Sequence, residues 1–442
     1  MKNILLLGAG KSSHVLIKYL LQNAASGSWQ VTVADISLEA AQSNVGNHSN
    51  AKAIALDINN AQQREAAIQN ADLVISLLPP ALHLFAAKDC LRFKKHLVTA
   101  SYVSPEMKAL HQDVVASGLI FLNECGLDPG IDHMSAMKIM DEIHAGGGKI
   151  IEFRSYTGGL IAPESNNNPW GYKFTWNPRN VILAGQGTTK YLLDGKIKEV
   201  PYKELFTHTE KISVSGVDAL EGYPNRDSLS YISLYGLEGI STMLRGTLRY
   251  EGFCRAWNVF VQLGYTDDET HIDTRNITYA DLTESLLPLP FRGNNLPEDL
   301  AKFCREKPGS DTMKKIEWTR ILSDDKIPLQ NATAAQILQN LLEKKWKLEE
   351  GDKDIIVMQH QFKIQNSELR IENLISSLVV KGDNSIDTAM AKTVGLPLGI
   401  AAKLILEGKI KRRGVIIPIE KEIYEPVLNE LKNYKIVFEE TN

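Results

Sequence analysis

The chain has 442 residues and an ordinary globular composition, with 43% hydrophobic and 23% charged residues. This length favours two or three domains, because a single hydrophobic core stops growing at about 250–300 residues. A formal net charge of −4 at pH 7 disfavours nucleic acids and anionic membrane surfaces as partners, since both select basic proteins.

The first 125 residues alternate short apolar runs with helical patterns. Strands are predicted at Ile4–Leu7, Val31–Ala34, Ala53–Leu56, Leu73–Leu77, Leu97–Thr99 and Ile120–Leu122. Helices are predicted at Ser12–Gln22, Leu38–Val45, Gln62–Gln69, Ala81–Phe93 and Pro105–Ala116. This alternation predicts an α/β domain of the Rossmann type, with a doubly wound parallel sheet.

The pattern changes after a predicted helix at Asp132–His144. Longer alternating runs at Ile150–Thr157, Leu192–Val200, Ile355–Ile364 and Leu369–Val379 predict antiparallel strands of an α+β domain, with a hairpin turn at Leu193–Lys196. Residues 291–350 are polar and predict a small helical insert. The tail predicts two helices within Ile386–Gly408, a strand at Val415–Pro418 and a helix at Lys421–Asn433.

The four cysteines are widely spaced, which predicts neither a disulfide framework nor a metal site. No run approaches 18 apolar residues, so no membrane span is expected. The first apolar stretch is too short for the core of a signal peptide. We therefore expect a cytoplasmic protein.

A glycine-rich turn follows the first predicted strand. Gly8 and Gly10 allow a tight turn and let the backbone approach a pyrophosphate at the start of the next helix. The third glycine of the usual motif is absent, and Ser13 and His14 occupy that region. By itself, this turn is weak support for a dinucleotide site.

Asp35 ends the second predicted strand, about 25 residues after the turn. Its carboxylate could accept both adenosine ribose hydroxyls and would repel a 2′-phosphate, or it could cap the helix that starts near Ser37. Turn and acid together predict a nicotinamide dinucleotide, with NAD favoured over NADP. Asp57, after the third strand, could meet the adenine or cap the next helix at Asn60.

Three loops follow the fourth, fifth and sixth strands, at 76–80, 99–104 and 123–133. Ligands of open α/β sheets lie beyond the carboxyl ends of the strands, so these loops should face the nicotinamide. Asp128 in the third loop is either a helix cap or a functional carboxylate.

Five segments resemble the saccharopine dehydrogenase (L-glutamate-forming) family. They are TASYVSPEM (99–107), NECGLDPGIDH (123–133), SYTGGLIAPES (155–165), YPNRDS (223–228) and LRGTLRYEGF (244–253). The resemblance covers nearly the whole chain. It implies the reversible conversion of saccharopine, water and NAD(P)+ into L-glutamate, 2-aminoadipate 6-semialdehyde and NAD(P)H.

The same resemblance implies domain limits and a homodimer. The Rossmann domain would span 1–130 and be completed by about 386–442. The α+β domain, which binds substrate and pairs subunits, would span 131–290 and 351–385, and the small helical domain 291–350.

Site residues are implied position by position. Substrate contacts fall at Ser101, Tyr102, Asp128, Arg226, Thr247, Leu248 and Arg249. Cofactor contacts, including those of the glycine turn, fall at Gly8, Gly10, Lys11, Ser12, Ser13, Asp35, Ile36, Ser37, Asp57, Ile58, Leu77, Ala100, Ser101, Leu127, Asp128, Pro129, Gly130, Ile131, Asp132 and His133.

Two positions depart from the fungal members of the family. Thr157 stands where they carry a cysteine, and Asp35-Ile36-Ser37 stands where they carry an arginine that matches NADP. Cofactor choice can therefore differ from theirs.

Residue chemistry agrees with this reaction. Saccharopine carries three carboxylates, which suit the planar fork of arginine, and Arg226 and Arg249 are the first candidates, before Arg154 and Arg245. Amine oxidation also needs proton movements, which Asp128 and Tyr102 could perform, although substrate binding alone would explain both. Cys125 and His133 are expected to be packing residues.

Two other functions compete with this one. A carboxynorspermidine synthase-like enzyme of polyamine metabolism would also join an aldehyde and an amine by imine reduction, with fewer carboxylates to bind. A regulatory dinucleotide-binding protein would bind the cofactor without turnover.

Overall fold

The computed structural model describes residues 1–441, which divide into two compact units. Unit 1 comprises residues 1–150, 353–358 and 364–441, and unit 2 comprises residues 151–352 and 359–363. The N-terminal sheet thus shares a unit with the C-terminal tail, and residues 291–350 share a unit with the segment before them.

The helices and strands are as follows in chain order. Up to residue 145 they are β1 (Lys2–Leu7), α1 (His14–Gly27), β2 (Trp29–Asp35), α2 (Leu38–Val45), β3 (Ala51–Ala55), α3 (Ala61–Gln69), β4 (Leu73–Ser76), α4 (His83–Arg92), β5 (His96–Thr99), α5 (Pro105–Ala109), α6 (His111–Ala116), β6 (Ile120–Leu122) and α7 (Ile131–Ala145). The middle segment contains β7 (Lys149–Ile161), α8 (Pro178–Ile182), β8 (Thr188–Leu193), β9 (Lys196–Pro201), α9 (Tyr202–Leu205), β10 (Glu210–Ile212), β11 (Leu220–Pro224), α10 (Ser230–Leu234), β12 (Thr242–Tyr250), α11 (Phe253–Leu263), β13 (His271–Ile272), α12 (Tyr279–Leu286), α13 (Leu296–Phe303), α14 (Asp311–Thr319), β14 (Ala332–Thr333) and α15 (Ala334–Lys345). The last segment contains β15 (Asp354–Gln365), β16 (Ile371–Lys381), α16 (Ala389–Leu406), β17 (Gly414–Ile416), α17 (Lys421–Leu431) and β18 (Glu439–Thr441).

Unit 1 is built on a seven-stranded parallel sheet in the order β17-β6-β5-β4-β1-β2-β3. This confirms the predicted doubly wound sheet of the Rossmann type. The strand order reverses between β1 and β4, and ligands of such sheets bind at that point, beyond the carboxyl ends of the strands. The C-terminal strand β17 extends the sheet beside β6.

Two predicted helices differ in the structure. The predicted single helix at Pro105–Ala116 is wrong, because the chain forms α5 and α6 with Leu110 between them. The predicted pair of helices within Ile386–Gly408 is also wrong, because α16 continues through Pro397. Packing explains this continuity: a Cβ at Gly395 would come within 2.9 Å of the Leu16 nitrogen on α1, so the two helices are in close contact.

Helix α16 also corrects the expectation that no segment resembles a membrane span. It has 18 residues and a mean hydropathy of 1.5, sufficient by length and composition to cross a membrane. However, 78% of it is buried inside the protein, which is typical of a helix in a core.

Unit 2 contains the antiparallel strands that were expected for an α+β domain, within a sheet that is mixed. β11 is antiparallel to β10 and β12, but β12 runs parallel to β7. The parallel pair is possible because about 80 residues connect β7 to β12, ample for a crossover. The predicted hairpin is confirmed: β8 and β9 are joined by Asp194 and Gly195, both with positive φ, as a two-residue turn requires.

Candidate functional site

The two glycines of the first turn have different roles. Gly8 has a φ of +104°, and a Cβ there would lie 3.0 Å from the Leu77 carbonyl oxygen, so the turn itself demands glycine. A Cβ at Gly10 would meet no atom within 4 Å. Gly10 therefore borders open space in front of helix α1, where a ligand can approach the backbone.

The N-terminus of α1 faces this turn without a side-chain cap. The Ser13 hydroxyl instead donates to the Gly10 carbonyl oxygen at 2.7 Å. The N–H groups of a first helical turn have no partner within the helix, so they suit an anion. The space, the donors and their position on the sheet fit the pyrophosphate of a dinucleotide.

Asp35, at the end of β2, is hydrogen-bonded to the backbone of the glycine turn. Its Oδ2 accepts from the Ala9 N–H at 2.7 Å and its Oδ1 from the Ser37 N–H at 2.9 Å. Ser37, rather than Asp35, caps α2 through a hydrogen bond from the Ala40 N–H. Asp35 is half-buried next to Ile36, which is 78% exposed. Asp35 stands at the end of β2, the position whose acidic residue meets the ribose in dinucleotide-binding folds of this type.

The remaining predicted cofactor positions differ in exposure. Asp57 is half-buried and accepts from the Asn59 N–H, whereas Asn60 caps α3. Ile58 is buried in the hydrophobic core. Lys11 is exposed, and Ser12, Leu77, Ala100 and Ser101 are half-buried. Leu127, Pro129, Gly130, Ile131, Asp132 and His133 are buried.

The two catalytic candidates lie together. The Tyr102 hydroxyl donates to Asp128 Oδ1 at 3.2 Å, although 26 residues separate them. Asp128 is half-buried, and α7 has Gly130 as its N-cap residue. The helix-cap interpretation of Asp128 is therefore not supported, and the residue has a side-chain contact with a second functional candidate.

Glu124 joins the loops that carry these residues, a role that the sequence did not indicate. Its Oε1 accepts from the Val103 N–H at 3.0 Å, and its Oε2 lies 2.9 Å from His133 Nε2. The Glu124 N–H also donates to the Ser101 carbonyl oxygen at 3.0 Å. His133 is fully buried. Its pairing and burial agree with the expected packing role, and they fix the loop after β5 to the start of α7.

Cys125 is equally enclosed. Its thiol is fully buried, and burial raises its pKa well above the ordinary range. A thiol in this state is protonated and a poor nucleophile. Within residues 1–441, no group of three histidine, cysteine, aspartate or glutamate side chains could hold a metal ion.

His83, at the start of α4, is a second residue that sequence reasoning missed. The residue is 5% exposed, and its ring contacts residues at the ends of β4 and β5. Nδ1 is 2.7 Å from the Ser76 hydroxyl, and Nε2 is 2.7 Å from the Ser101 hydroxyl. Burial lowers the pKa of His83 to about 4, so the imidazole is neutral at physiological pH.

This low pKa makes stability depend on pH. The unfolded chain takes up the proton near the ordinary pKa of 6.5, whereas the folded chain does so only near 4. The contribution of His83 to stability is therefore complete above pH 6.5 and is lost as the pH falls to about 4. Relative to His83→Gln, we expect the free energy of unfolding to fall by about 3 kcal/mol between pH 7 and pH 4.

Urea titrations of both proteins across this pH range measure the difference directly. Carboxylates titrate in both proteins, so only the difference between their free energies of unfolding reports on His83. A constant difference across the range would show that His83 is protonated normally in the folded state.

Arg249 is the most enclosed cation among the substrate candidates. It is 5% exposed, and its guanidinium carbon lies 5.1 Å and 5.3 Å from the ring centroids of Tyr172 and Phe253. Nη1 donates to the Leu248 carbonyl oxygen at 2.8 Å. Nε is buried and, among the residues that the structure describes, has no hydrogen-bond partner. An unsatisfied buried N–H is costly, and a bound carboxylate would satisfy it.

Thr247 lies two residues before Arg249 on the same strand, β12. Its register partners are Tyr223 on β11 and Thr157 on β7. The Thr157 hydroxyl oxygen is buried and, within residues 1–441, also lacks a hydrogen-bond partner. Polar groups of three neighbouring strands therefore meet at Thr247, two residues from Arg249.

The other three arginines have different surroundings. Arg226 is exposed and has a positive φ of 51° in the loop after β11. Arg245 is buried over the ring of Tyr231 at 4.3 Å. Arg154 donates to Glu210 at 3.0 Å. Arg154 is thus occupied by an ion pair and is a weaker candidate than Arg249.

Two family models match the chain. Residues 4–122 match the saccharopine dehydrogenase NADP binding domain, and residues 126–437 match the saccharopine dehydrogenase C-terminal domain. Together they cover most of both units.

Individual relatives are similar over their full length. The chain is 36% identical to the saccharopine dehydrogenase (NADP(+), L-glutamate-forming) of Pyricularia oryzae, over 98% of this chain and 96% of the relative. Identity to the enzyme of the same name from Saccharomyces cerevisiae is also 36%, over 98% and 97%. The apo structure of the Saccharomyces cerevisiae saccharopine dehydrogenase (L-Glu forming) superimposes with a TM-score of 0.89, covering 100% of this chain and 99% of the other.

Proposed function

The chain belongs to the saccharopine dehydrogenase family, and on this basis we propose that it catalyses the reversible, nicotinamide-dependent oxidation of saccharopine. Saccharopine and water would yield L-glutamate and 2-aminoadipate 6-semialdehyde, in lysine metabolism. Full-length similarity to enzymes named for this reaction supports the proposal. The structural observation that best supports the proposal is the buried Arg249, because a substrate carboxylate would satisfy its Nε.

The cofactor would be held by the glycine turn, the N-terminus of α1 and Asp35, and would accept a hydride from the carbon beside the secondary amine. This leaves an imine, to which water adds before the carbinolamine separates into aldehyde and amine. The substrate nitrogen must be neutral when oxidation begins and must regain a proton when it leaves. Asp128 and Tyr102, joined by a hydrogen bond, can hold that nitrogen and the attacking water.

Charge recognition would come from arginines. Arg249 would bind one carboxylate of saccharopine through a charge-assisted hydrogen bond from Nε. Arg226, exposed after β11, is proposed to bind a second carboxylate. An amine substrate with fewer carboxylates would not use both arginines.

A direct assay tests the function. Purified protein is incubated with saccharopine and NAD+ or NADP+, and absorbance of the reduced cofactor is followed, with L-glutamate identified by mass spectrometry. We expect saccharopine-dependent reduction with one glutamate per reduced cofactor. Oxidation of carboxynorspermidine without oxidation of saccharopine would identify a polyamine enzyme, and cofactor binding without turnover would identify a regulatory protein.

Cofactor preference is a separate prediction, because the relatives above are named for NADP(+). Asp35 would repel a 2′-phosphate, so we expect a higher kcat/KM with NADH than with NADPH. Asp35→Asn keeps an acceptor for the Ala9 or Ser37 N–H but removes the charge. This variant should lower the ratio of kcat/KM with NADH to kcat/KM with NADPH by roughly tenfold. That change is equivalent to about 1.4 kcal/mol of repulsion.

Glu39→Gln is the matched control, since Glu39 is an exposed carboxylate in the first turn of α2. It should leave the ratio unchanged. Equal or better use of NADPH by the unmodified protein would show that Asp35 does not select against the phosphate.

We further propose a homodimer, as the family resemblance implies. Size-exclusion chromatography with light scattering should give a mass near twice 49.2 kDa, and a monomer mass would contradict it.

A further inference from the structure

His83 lies where two loops at the carboxyl edge of the parallel sheet meet. It contacts Ser76 at the end of β4 and Ser101 just beyond β5 through opposite ring nitrogens, each at 2.7 Å. Ser76 is fully buried and Ser101 is half-buried. One end of this chain of hydrogen bonds is therefore enclosed, and the other reaches the loop after β5, which also carries Tyr102.

A neutral imidazole has one donor nitrogen and one acceptor nitrogen. Nδ1 faces the Ser76 hydroxyl, and Nε2 faces the Ser101 hydroxyl, with the Thr99 hydroxyl farther from Nε2 at 3.4 Å. When each nitrogen keeps its shorter contact, the ring donates to one serine and accepts from the other. The tautomer consequently decides whether Ser101 offers its hydrogen or its lone pairs to a ligand. The Ser101 backbone is held as well, since its N–H donates to the Thr99 hydroxyl at 3.3 Å.

We propose that His83 is a positioning residue for substrate: its Nε2 fixes the direction of the Ser101 hydroxyl, and Ser76 holds the ring from behind. This inference rests on the proposed function and on the family resemblance, which implies that Ser101 contacts saccharopine. His83 does not itself exchange a proton with the substrate.

Asparagine and glutamine side chains differ in length, so each can replace His83 in only one of its contacts with Ser76 and Ser101. In His83→Asn the amide lies near the position of Nδ1, so it can keep the Ser76 contact and loses the Ser101 contact. In His83→Gln the amide reaches the position of Nε2 and can keep the Ser101 contact. We expect His83→Asn to raise KM for saccharopine at least tenfold with kcat lowered less than threefold, and His83→Gln to remain within about threefold of the unmodified protein.

A double-mutant cycle tests whether His83 acts through Ser101. Ser101→Ala should raise KM for saccharopine to a similar degree, and His83→Asn should add no further loss in that background. The Kd of the reduced cofactor, measured by fluorescence without substrate, should change less than threefold in His83→Asn. Thermal unfolding checks that every variant is folded at the assay temperature.

Several results would overturn the inference. Equal KM losses in the asparagine and glutamine variants would assign His83 a structural role. An additive loss in the Ser101→Ala background would show that it acts elsewhere, and a weakened cofactor Kd would move it to the cofactor. If the unmodified protein does not turn over saccharopine, both the proposed function and this inference fail. If it turns over saccharopine but one of the three results above is found, only the role of His83 is rejected.

Discussion

Arg249→Gln is expected to reduce kcat/KM for saccharopine by roughly 30- to 1,000-fold, equivalent to about 2–4 kcal/mol. The guanidinium is buried against Tyr172 and Phe253, and its Nε has no hydrogen-bond partner within residues 1–441. Glutamine removes the charge that would meet a substrate carboxylate in this weakly solvated place. Steady-state kinetics should show most of the loss as a raised KM for saccharopine, with the KM for the cofactor little changed.

Arg255→Gln is the matched control for this variant. Arg255 lies on α11, six residues further along the chain, and its side chain is 69% exposed in an ion pair with Glu306. Its removal should leave both KM values within twofold. Because Arg249 also stacks on aromatic rings, thermal unfolding must accompany the kinetics. A folded Arg249→Gln protein with an unchanged KM for saccharopine would remove Arg249 from the site.

Asp128→Asn is expected to reduce kcat/KM by roughly 10- to 100-fold, chiefly through KM, with kcat lowered less than tenfold. Asp128 accepts a hydrogen bond from Tyr102 at 3.2 Å, and its carboxylate is proposed to position the substrate amine through a charge-assisted contact worth about 1.5–3 kcal/mol. Asparagine preserves the shape and one acceptor but not the charge. The pH profile of kcat should keep both of its limbs.

Proton transfer by Asp128 would give a different result. In that case kcat itself would fall by about 10²-fold or more, and the limb of the pH profile that reports the carboxylate would disappear. Asp113→Asn, at an exposed aspartate in the first turn of α6, controls for the loss of one negative charge and should be kinetically normal. Normal kinetics in Asp128→Asn itself would exclude both roles.

Local sequence patterns determined the framework of unit 1. The alternation of apolar runs and helices predicted the parallel sheet, because strand and helix periods are properties of short segments. The glycine turn and Asp35 were predictable for the same reason: they occupy the end of a strand and the start of a helix, and short spacings place them. The five motifs located Ser101, Tyr102, Asp128 and Arg249, but not their contacts.

Tertiary structure alone decided which of these residues meet and in what state. Nothing in the local sequence distinguishes His83 from other helix residues. In the folded chain it is buried between Ser76 and Ser101, and this burial lowers its pKa to about 4. Likewise, Arg249 is buried by Tyr172, which lies 77 residues earlier in the chain. Burial and hydrogen-bond partners arise from packing between distant segments, so no local period encodes them. The continuous helix α16 has the same cause, because its close packing on α1 outweighs the preference of Pro397 to end a helix.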